Sequence, residues 1–256
     1  MSAFDAGGRL ILITGATSAI GAALAEAYAQ AGVRLYLHGR DATKLAEVAA
    51  RCKAAGADVA TQRLDLRDFA PLRGWLESLE ALDLVIVNAG MNTHIGPAGE
   101  PEPWDEVEAL LDVNLKAAML VVQSVLPAMR ARGRGQIALL SSLAAYFGLP
   151  LTPAYCASKA GLKAYGEALR GWLQPEGIRV NVIMPGYVKS AMCDEMPGPK
   201  PFLWPPERAA RAIRRGLAKD RARISYPFPL NWGAWWLAVL PAAVSTRIVR
   251  WMGYGR

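Results

Sequence analysis

Short apolar runs alternate along the chain with longer stretches whose apolar residues recur three and four positions apart. The runs at 9–16, 33–38, 58–64, 83–87, 136–140 and 179–184 predict strands. Between them, 20–31, 43–55, 69–79, 106–132 and Pro153–Leu173 carry helical spacing, and Gly32 and Gly56 stop the first two helices. Residues 83–87 are apolar throughout after Asp83, as in a strand buried on both faces of a parallel sheet. Pro205-Pro206-Glu207 opens a further helix through Lys219, and Arg223–Tyr226 supplies a seventh strand. Regular alternation of this kind means right-handed crossovers, so the predicted fold class is α/β: a doubly wound parallel sheet of about seven strands with helices on both faces. There is no internal repeat, and 1–226 reads as one domain, with a Pro- and Met-rich stretch at 190–206 and an apolar, basic extension at 227–256.

A chain of 256 residues is long enough to bury a full core. Cys52, Cys156 and Cys193 are odd in number and lack metal or disulfide spacing, which predicts reduced thiols and a cytoplasmic setting. Nothing at the N-terminus reads as an export signal. The net charge of +7 is unevenly placed: residues 207–256 carry ten Lys/Arg against Glu207 and Asp220, leaving −1 for the first 206. That basic end also holds Trp232, Trp235, Trp236 and Trp251, and its arginines flank an apolar run, which argues against nucleic acid. The run at 230–244 has fifteen residues and is interrupted by Pro241, too short for the ~20 that cross a bilayer.

Candidate chemistry gathers at strand ends. Tyr155 and Lys159 share one face of the helix Pro153–Leu173, one turn apart. An ammonium so placed is expected to lower the phenol's pKa and make it a usable acid or base. Residues 14–21, Thr-Gly-Ala-Thr-Ser-Ala-Ile-Gly, connect a strand directly to a helix, so that backbone N–H groups can face a pyrophosphate while Gly15 and Gly21 allow close approach. Asn88-Ala89-Gly90 ends the fourth strand, Ser141-Ser142 the fifth and Pro185-Gly186 the sixth. Only His38 and His94 are present, far apart, so no metal site is expected. Glu100, Glu102, Asp105, Glu106 and Glu108 read as solvated charge at a helix start.

In order and spacing this set resembles the short-chain dehydrogenase/reductase family over roughly residues 8–226. Thr14–Gly21 matches its T-G-x-x-x-[A/G]-x-G, Tyr155–Lys159 its Y-x-x-x-K. The resemblance implies a Rossmann-type fold in which Tyr155 exchanges a proton with a carbonyl or alcohol oxygen. Lys159 would tune that phenol and bond the nicotinamide ribose, Ser142 would hold the substrate oxygen, and Asn114 would support a proton relay to the lysine. Gly15, Thr17, Ser18, Ile20 and Gly21 would line the pyrophosphate, with Asn88, Ala89 and Gly90 beside them. Asp65 and Leu66 would meet the adenine; Pro185, Gly186, Val188 and Ser190 would meet the nicotinamide.

The second strand ends in Gly39-Arg40 where NAD-binding members carry an acid. A guanidinium suits a 2′-phosphate, so NADP(H) is expected over NAD(H), although Ser18 is neutral where many NADP-binding relatives are basic. The expected activity is reduction of a hydrophobic or lipid-like ketone; the rivals are NAD-linked alcohol oxidation and a cofactor-binding membrane-surface scaffold without turnover. Residues 190–206 correspond to the family's substrate lid. Two readings of 227–256 stay open: an arm on an anionic membrane surface, which would place the protein peripherally at the inner face of a membrane, or a segment that packs on a partner subunit or covers the cleft. A homodimer or homotetramer is expected from the resemblance alone.

Overall fold

A computed structural model describes residues 9–196 and 198–254. Seven parallel strands, β1 (Arg9–Thr14), β2 (Val33–Gly39), β3 (Asp58–Arg63), β4 (Leu84–Val87), β5 (Gly135–Leu140), β6 (Ile178–Pro185) and β7 (Arg223–Tyr226), lie in the order β3-β2-β1-β4-β5-β6-β7. Alternate side chains of each strand serve opposite faces. Ile11 and Ile13 enter a core with α1 (Ala19–Tyr28), α2 (Ala42–Ala54) and α8 (Pro206–Ala218). Leu12 enters the other core, with α3 (Phe69–Glu77), α5 (Ala118–Arg132) and α6 (Pro153–Leu173).

Strand order reverses between β1 and β4, where open α/β sheets bind ligands at their carboxyl edge. Thr14 pairs with Val87 there, which sets the glycine turn beside Asn88-Ala89-Gly90. Leu140 of β5 pairs with Ile183 of β6 along the same edge. Every predicted strand and helix is present to within a few residues, and Pro153–Leu173 and Arg223–Tyr226 coincide with their predicted bounds.

Two segments differ from the hydropathy pattern. The long helix predicted over 106–132 begins at Trp104, as α4 (Trp104–Leu111), and reaches α5 through a π-helical turn, Asp112–Ala117. This turn carries Asn114, whose amide is wholly buried. Over 104–132 the helix is long and apolar enough to cross a membrane, but 56% of its apolar window is buried within the fold. The apolar run at 230–244 is divided: α9 (Leu230–Val239) ends before Pro241, which cannot donate to the helix ladder, and α10 (Ala242–Val249) follows. A short turn, Arg250–Tyr254, kinked at Gly253 (φ +84°), closes the described chain.

These C-terminal helices fold back over the sheet's carboxyl edge. A Cβ on Gly186 would stand 2.9 Å from Pro227 and 3.0 Å from Leu230, so α9 sits directly on the turn after β6. Tyr187 donates its hydroxyl proton to Tyr254 Oη at 2.8 Å, and Tyr254 donates to the Pro199 carbonyl at 2.7 Å. The end of the described chain is thereby tied to the segment that follows α7 (Ala191–Glu195).

Candidate active site

The turn between β1 and α1 is held from three sides. Gly15 has φ +66°, and a Cβ there would stand 2.7 Å from Ala89 Cα. A Cβ on Gly21 would overlap the Gly15 carbonyl oxygen. The Asn88 amide donates to the carbonyls of Thr14 and Gly15, both at 2.9 Å, and to Ser18 Oγ at 3.1 Å. Ser18 in turn caps α1, accepting from the Gly21 N–H at 3.1 Å. His38 completes the support: its Nε2–H donates to the Leu64 carbonyl at 3.0 Å, leaving Nδ1 to accept from the Gly15 N–H at 3.4 Å. Burial lowers the His38 pKa and keeps the ring neutral, as this pair of bonds requires. A Cβ on Gly39 would stand 2.6 Å from Thr17 Cγ2, so a side chain there would have to displace Thr17.

At the other end of the cleft, α6 begins under two constraints. Glu102 accepts from the Ala154 N–H at 3.0 Å and from Thr93 Oγ1 at 2.6 Å, satisfying an unpaired donor in the helix's first turn. This carboxylate is therefore structural, unlike the solvated charge expected of the acidic run. Ser141 Oγ donates to the Lys159 carbonyl at 2.8 Å, fixing α6 to the end of β5. Asn114 accepts from the Met91 N–H at 2.8 Å and donates to the Met91 carbonyl at 2.9 Å and Ser158 Oγ at 3.0 Å. It thus joins the loop after β4 to α6. A Cβ on Gly90 would lie 3.2 Å from both Asn114 Oδ1 and Lys159 Nζ, so the three converge closely.

Tyr155 and Lys159 lie together, with Nζ 5.7 Å from the phenol ring centroid. Their protonation differs from the expectation that the lysine lowers the tyrosine. Burial dominates: it pushes Tyr155 up to about 12, and the Ser142 hydroxyl bonded to the phenol recovers only part of that shift. Burial also pushes Lys159 down to about 8, while Nζ donates to the Leu140 carbonyl at 2.9 Å. At neutral pH the free protein therefore holds a protonated phenol ready to donate. Because kcat/KM for the cofactor reports groups of the free enzyme, it should fall as pH rises through about 8, where the ammonium discharges while the phenol stays protonated. A pH profile that stays flat to pH ~10, the ordinary lysine range, would contradict this assignment.

One continuous cleft of about 680 Å³ runs from the glycine turn to the C-terminal helices. Of the sequence candidates, Thr17, Ser18, Ile20, Asn88, Gly90, Ser142, Tyr155, Lys159, Pro185, Gly186, Val188 and Ser190 line it. Ser190 also caps α7, accepting from the Cys193 N–H at 3.1 Å. Gly15, Gly21, Ala89 and Asn114 lie behind this lining and shape it through the contacts above. Arg40, Asp65 and Leu66 stand outside it. Arg40 is exposed beyond β2, the Asp65 carboxylate is gripped by Arg67 at 2.7 Å, and Leu66 is packed into the core.

Several residues of the site were not predicted. His38 has no signal in the hydropathy pattern beyond lying in a strand. Lys44, in the first turn of α2, lines the cleft. Asp41, one residue past Arg40, caps α2 by accepting from the Lys44 N–H at 3.0 Å and pairs with the Lys44 ammonium at 3.5 Å. Tyr187, Cys193 and Tyr254 complete the substrate side, and Leu237, Leu240 and Ile248 extend it as an apolar wall.

These observations fit a nicotinamide dinucleotide. The glycine turn leaves no room for Cβ atoms at Gly15 and Gly21, a helix N-terminus adjoins it, and the cleft passes without interruption to Tyr155 and Lys159.

Comparison with known proteins agrees. A family model described as short chain dehydrogenase matches residues 9–199. An uncharacterized oxidoreductase of Myxococcus xanthus is 35% identical over 226 residues, 87% of this chain and 88% of that one. A very-long-chain 3-oxoacyl-CoA reductase of Ajellomyces capsulatus is 29% identical over 259 residues, covering 99% of this chain and 76% of its own. Among solved structures, a short-chain dehydrogenase from Sphingobium yanoikuyae in complex with NADPH superposes with a TM-score of 0.80 at 25% identity, covering 94% of this chain and 95% of that one. Sheet order, strand-end motifs and the family match lead to one conclusion: this chain is an oxidoreductase of the short-chain dehydrogenase/reductase family.

Proposed function

We propose that the protein is an NADP(H)-dependent ketoreductase, interconverting a ketone and a secondary alcohol on a hydrophobic or lipid-like substrate. The observation that carries this reading is geometric: Tyr155 and Ser142 line one largely apolar cleft together with Lys159, whose Nζ lies 5.7 Å from the phenol ring centroid. Bound NADPH would supply the hydride. Ser142 and Tyr155 would then hold the carbonyl oxygen between two hydroxyls, and the phenol would give up its proton as charge develops on that oxygen. Lys159 places positive charge beside the phenolate left behind, which favours the transfer. In the reverse direction the same phenol would receive the alcohol's proton.

Preference for NADP(H) is supported by charge. Gly39 stands where an acid would select NAD, Arg40 carries no salt bridge among the described residues, and Lys44 lines the adjoining cleft. The Arg40 guanidinium suits a 2′-phosphate, and Lys44, paired with Asp41 at 3.5 Å, adds a second cation beside an acid. The Sphingobium neighbour was solved with NADPH, and the name of the Ajellomyces relative specifies a very long acyl chain, consistent with the apolar wall found here.

The test is cofactor oxidation with ketones graded by chain length, NADPH and NADH in parallel. NADPH should be preferred, and efficiency should rise with chain length. Arg40→Asp should cut kcat/KM for NADPH by roughly 10–100-fold, the value of a charge-assisted hydrogen bond, while leaving NADH nearly unchanged. Equal use of both cofactors by the wild type would remove the NADP(H) assignment. Turnover confined to short, polar ketones would remove the hydrophobic substrate.

A further inference from the structure

We propose that the outer face of α9, α10 and the closing turn docks on an anionic lipid surface. The observation behind this is a contradiction between sequence and burial. Helix α9 has no charged residue and is apolar on every side, yet none of its residues is buried. A helix of that composition belongs inside a core or against lipid. Its inner side accounts for part of it, because Leu230, Ala234 and Leu237 face the cleft. The outer side is left open: Trp232 is 60% exposed and Trp235 39%, with Phe228 before the helix at 75% and Trp251 after α10 at 88%. Aromatic residues in such number on one exposed stretch mark an interaction surface. Tryptophan, an apolar ring with one polar N–H, is suited to the headgroup region of a bilayer.

Charge separates lipid from a second copy of the chain. No Asp or Glu occurs after Asp220, whereas Arg247, in α10, and Arg250, in the turn after it, are exposed in the same segment as the tryptophans. Arg223 is excluded from this set because Glu167 already neutralises it. A twofold contact through this face would set the same arginines against one another with no acid to balance them. An anionic headgroup layer provides the missing charge. With ten and eight residues, α9 and α10 are too short to span a bilayer, so they would lie in its plane. Since α9 is also a wall of the cleft, docking would bring that wall against the lipid. The binding itself does not depend on the reaction proposed above.

Sedimentation of the full-length protein with phosphatidylcholine vesicles, with and without phosphatidylglycerol, tests this without any turnover. The protein should pellet with phosphatidylglycerol, release as salt is raised, and show tryptophan emission shifted to shorter wavelength when bound. Arg247→Gln with Arg250→Gln should weaken partitioning by about fivefold per arginine. Trp232→Ser with Trp251→Ser should weaken it at least ~10-fold. Both pairs are exposed and should keep the wild-type unfolding temperature. The proposal is overturned if the wild type stays in the supernatant with anionic vesicles, or if the tryptophan pair binds as the wild type does. It is also overturned if sedimentation without lipid reveals self-association that the tryptophan pair abolishes, which would assign the face to a second copy.

Discussion

Replacing Tyr155 by phenylalanine should lower kcat for ketone reduction by roughly 10²–10⁴-fold, the range that a positioned general acid contributes, while leaving NADPH affinity within about twofold. The substitution removes one hydroxyl and keeps the ring, which packs with Leu110, Ala144 and Cys156. Its effect is therefore confined to the proton. The phenol meets the cleft protonated because burial opposes phenolate; Ser142 is a far weaker acid, and the Tyr187 and Tyr254 hydroxyl protons are committed to Tyr254 Oη and the Pro199 carbonyl. Steady-state NADPH oxidation and a fluorescence titration of NADPH read the two quantities separately. A protein that binds the cofactor as a scaffold, without turnover, would lose nothing, so the same variant decides between an enzyme and a binding module.

Gly21→Ala should do the opposite, weakening cofactor binding while leaving the Tyr155 hydroxyl in place. The added Cβ overlaps the Gly15 carbonyl oxygen and stands 2.8 Å from Asn88 Nδ2. Neither can retreat easily. Gly15 is held by His38 and lies against Ala89, and the Asn88 amide makes three hydrogen bonds to the turn. Helix α1 has to move instead, breaking the Ser18 cap, worth about 1 kcal/mol, and opening the surface that faces the pyrophosphate. NADPH affinity should drop at least ~100-fold, about 2.7 kcal/mol, with a lowered Tm. Gly74→Ala is the control: it lies in α3 with nothing within 4 Å of an added Cβ, and should raise stability by about 0.4–1 kcal/mol. If G21A bound NADPH like the wild type, the turn would not be the cofactor's seat.

The sheet and the glycine turn were legible because their residue types are dictated locally. Apolar runs write out the strands, and close backbone approach at Gly15 and Gly21 admits no side chain. Tyr155 and Lys159 were legible from helical spacing, but the direction of their pKa shifts was not. Spacing shows that the two groups are neighbours, whereas burial, a tertiary property, decides which effect prevails. The π-helical turn at Asp112–Ala117 was not legible because apolar residues run on through both flanking helices, which hides the shift of face that one extra residue makes. Lys44 escaped notice because helix α2 brings it to the cleft from another segment. Glu102 was misread as surface charge for the same reason: its partner, the Ala154 N–H, is distant in sequence. At 230–244 composition revealed an apolar segment, but its fold-back depends on Gly186 offering Leu230 and Pro227 a bare backbone.

The hydroxyl chain from Tyr187 through Tyr254 to the Pro199 carbonyl bears on engineering. It couples the segment after α7 to the closing turn, two regions more than fifty residues apart in sequence, as one mechanical piece. Exchanging either region alone for that of a relative would leave a phenol facing a mismatched partner. Transplants meant to alter substrate scope should therefore carry both regions from the same donor.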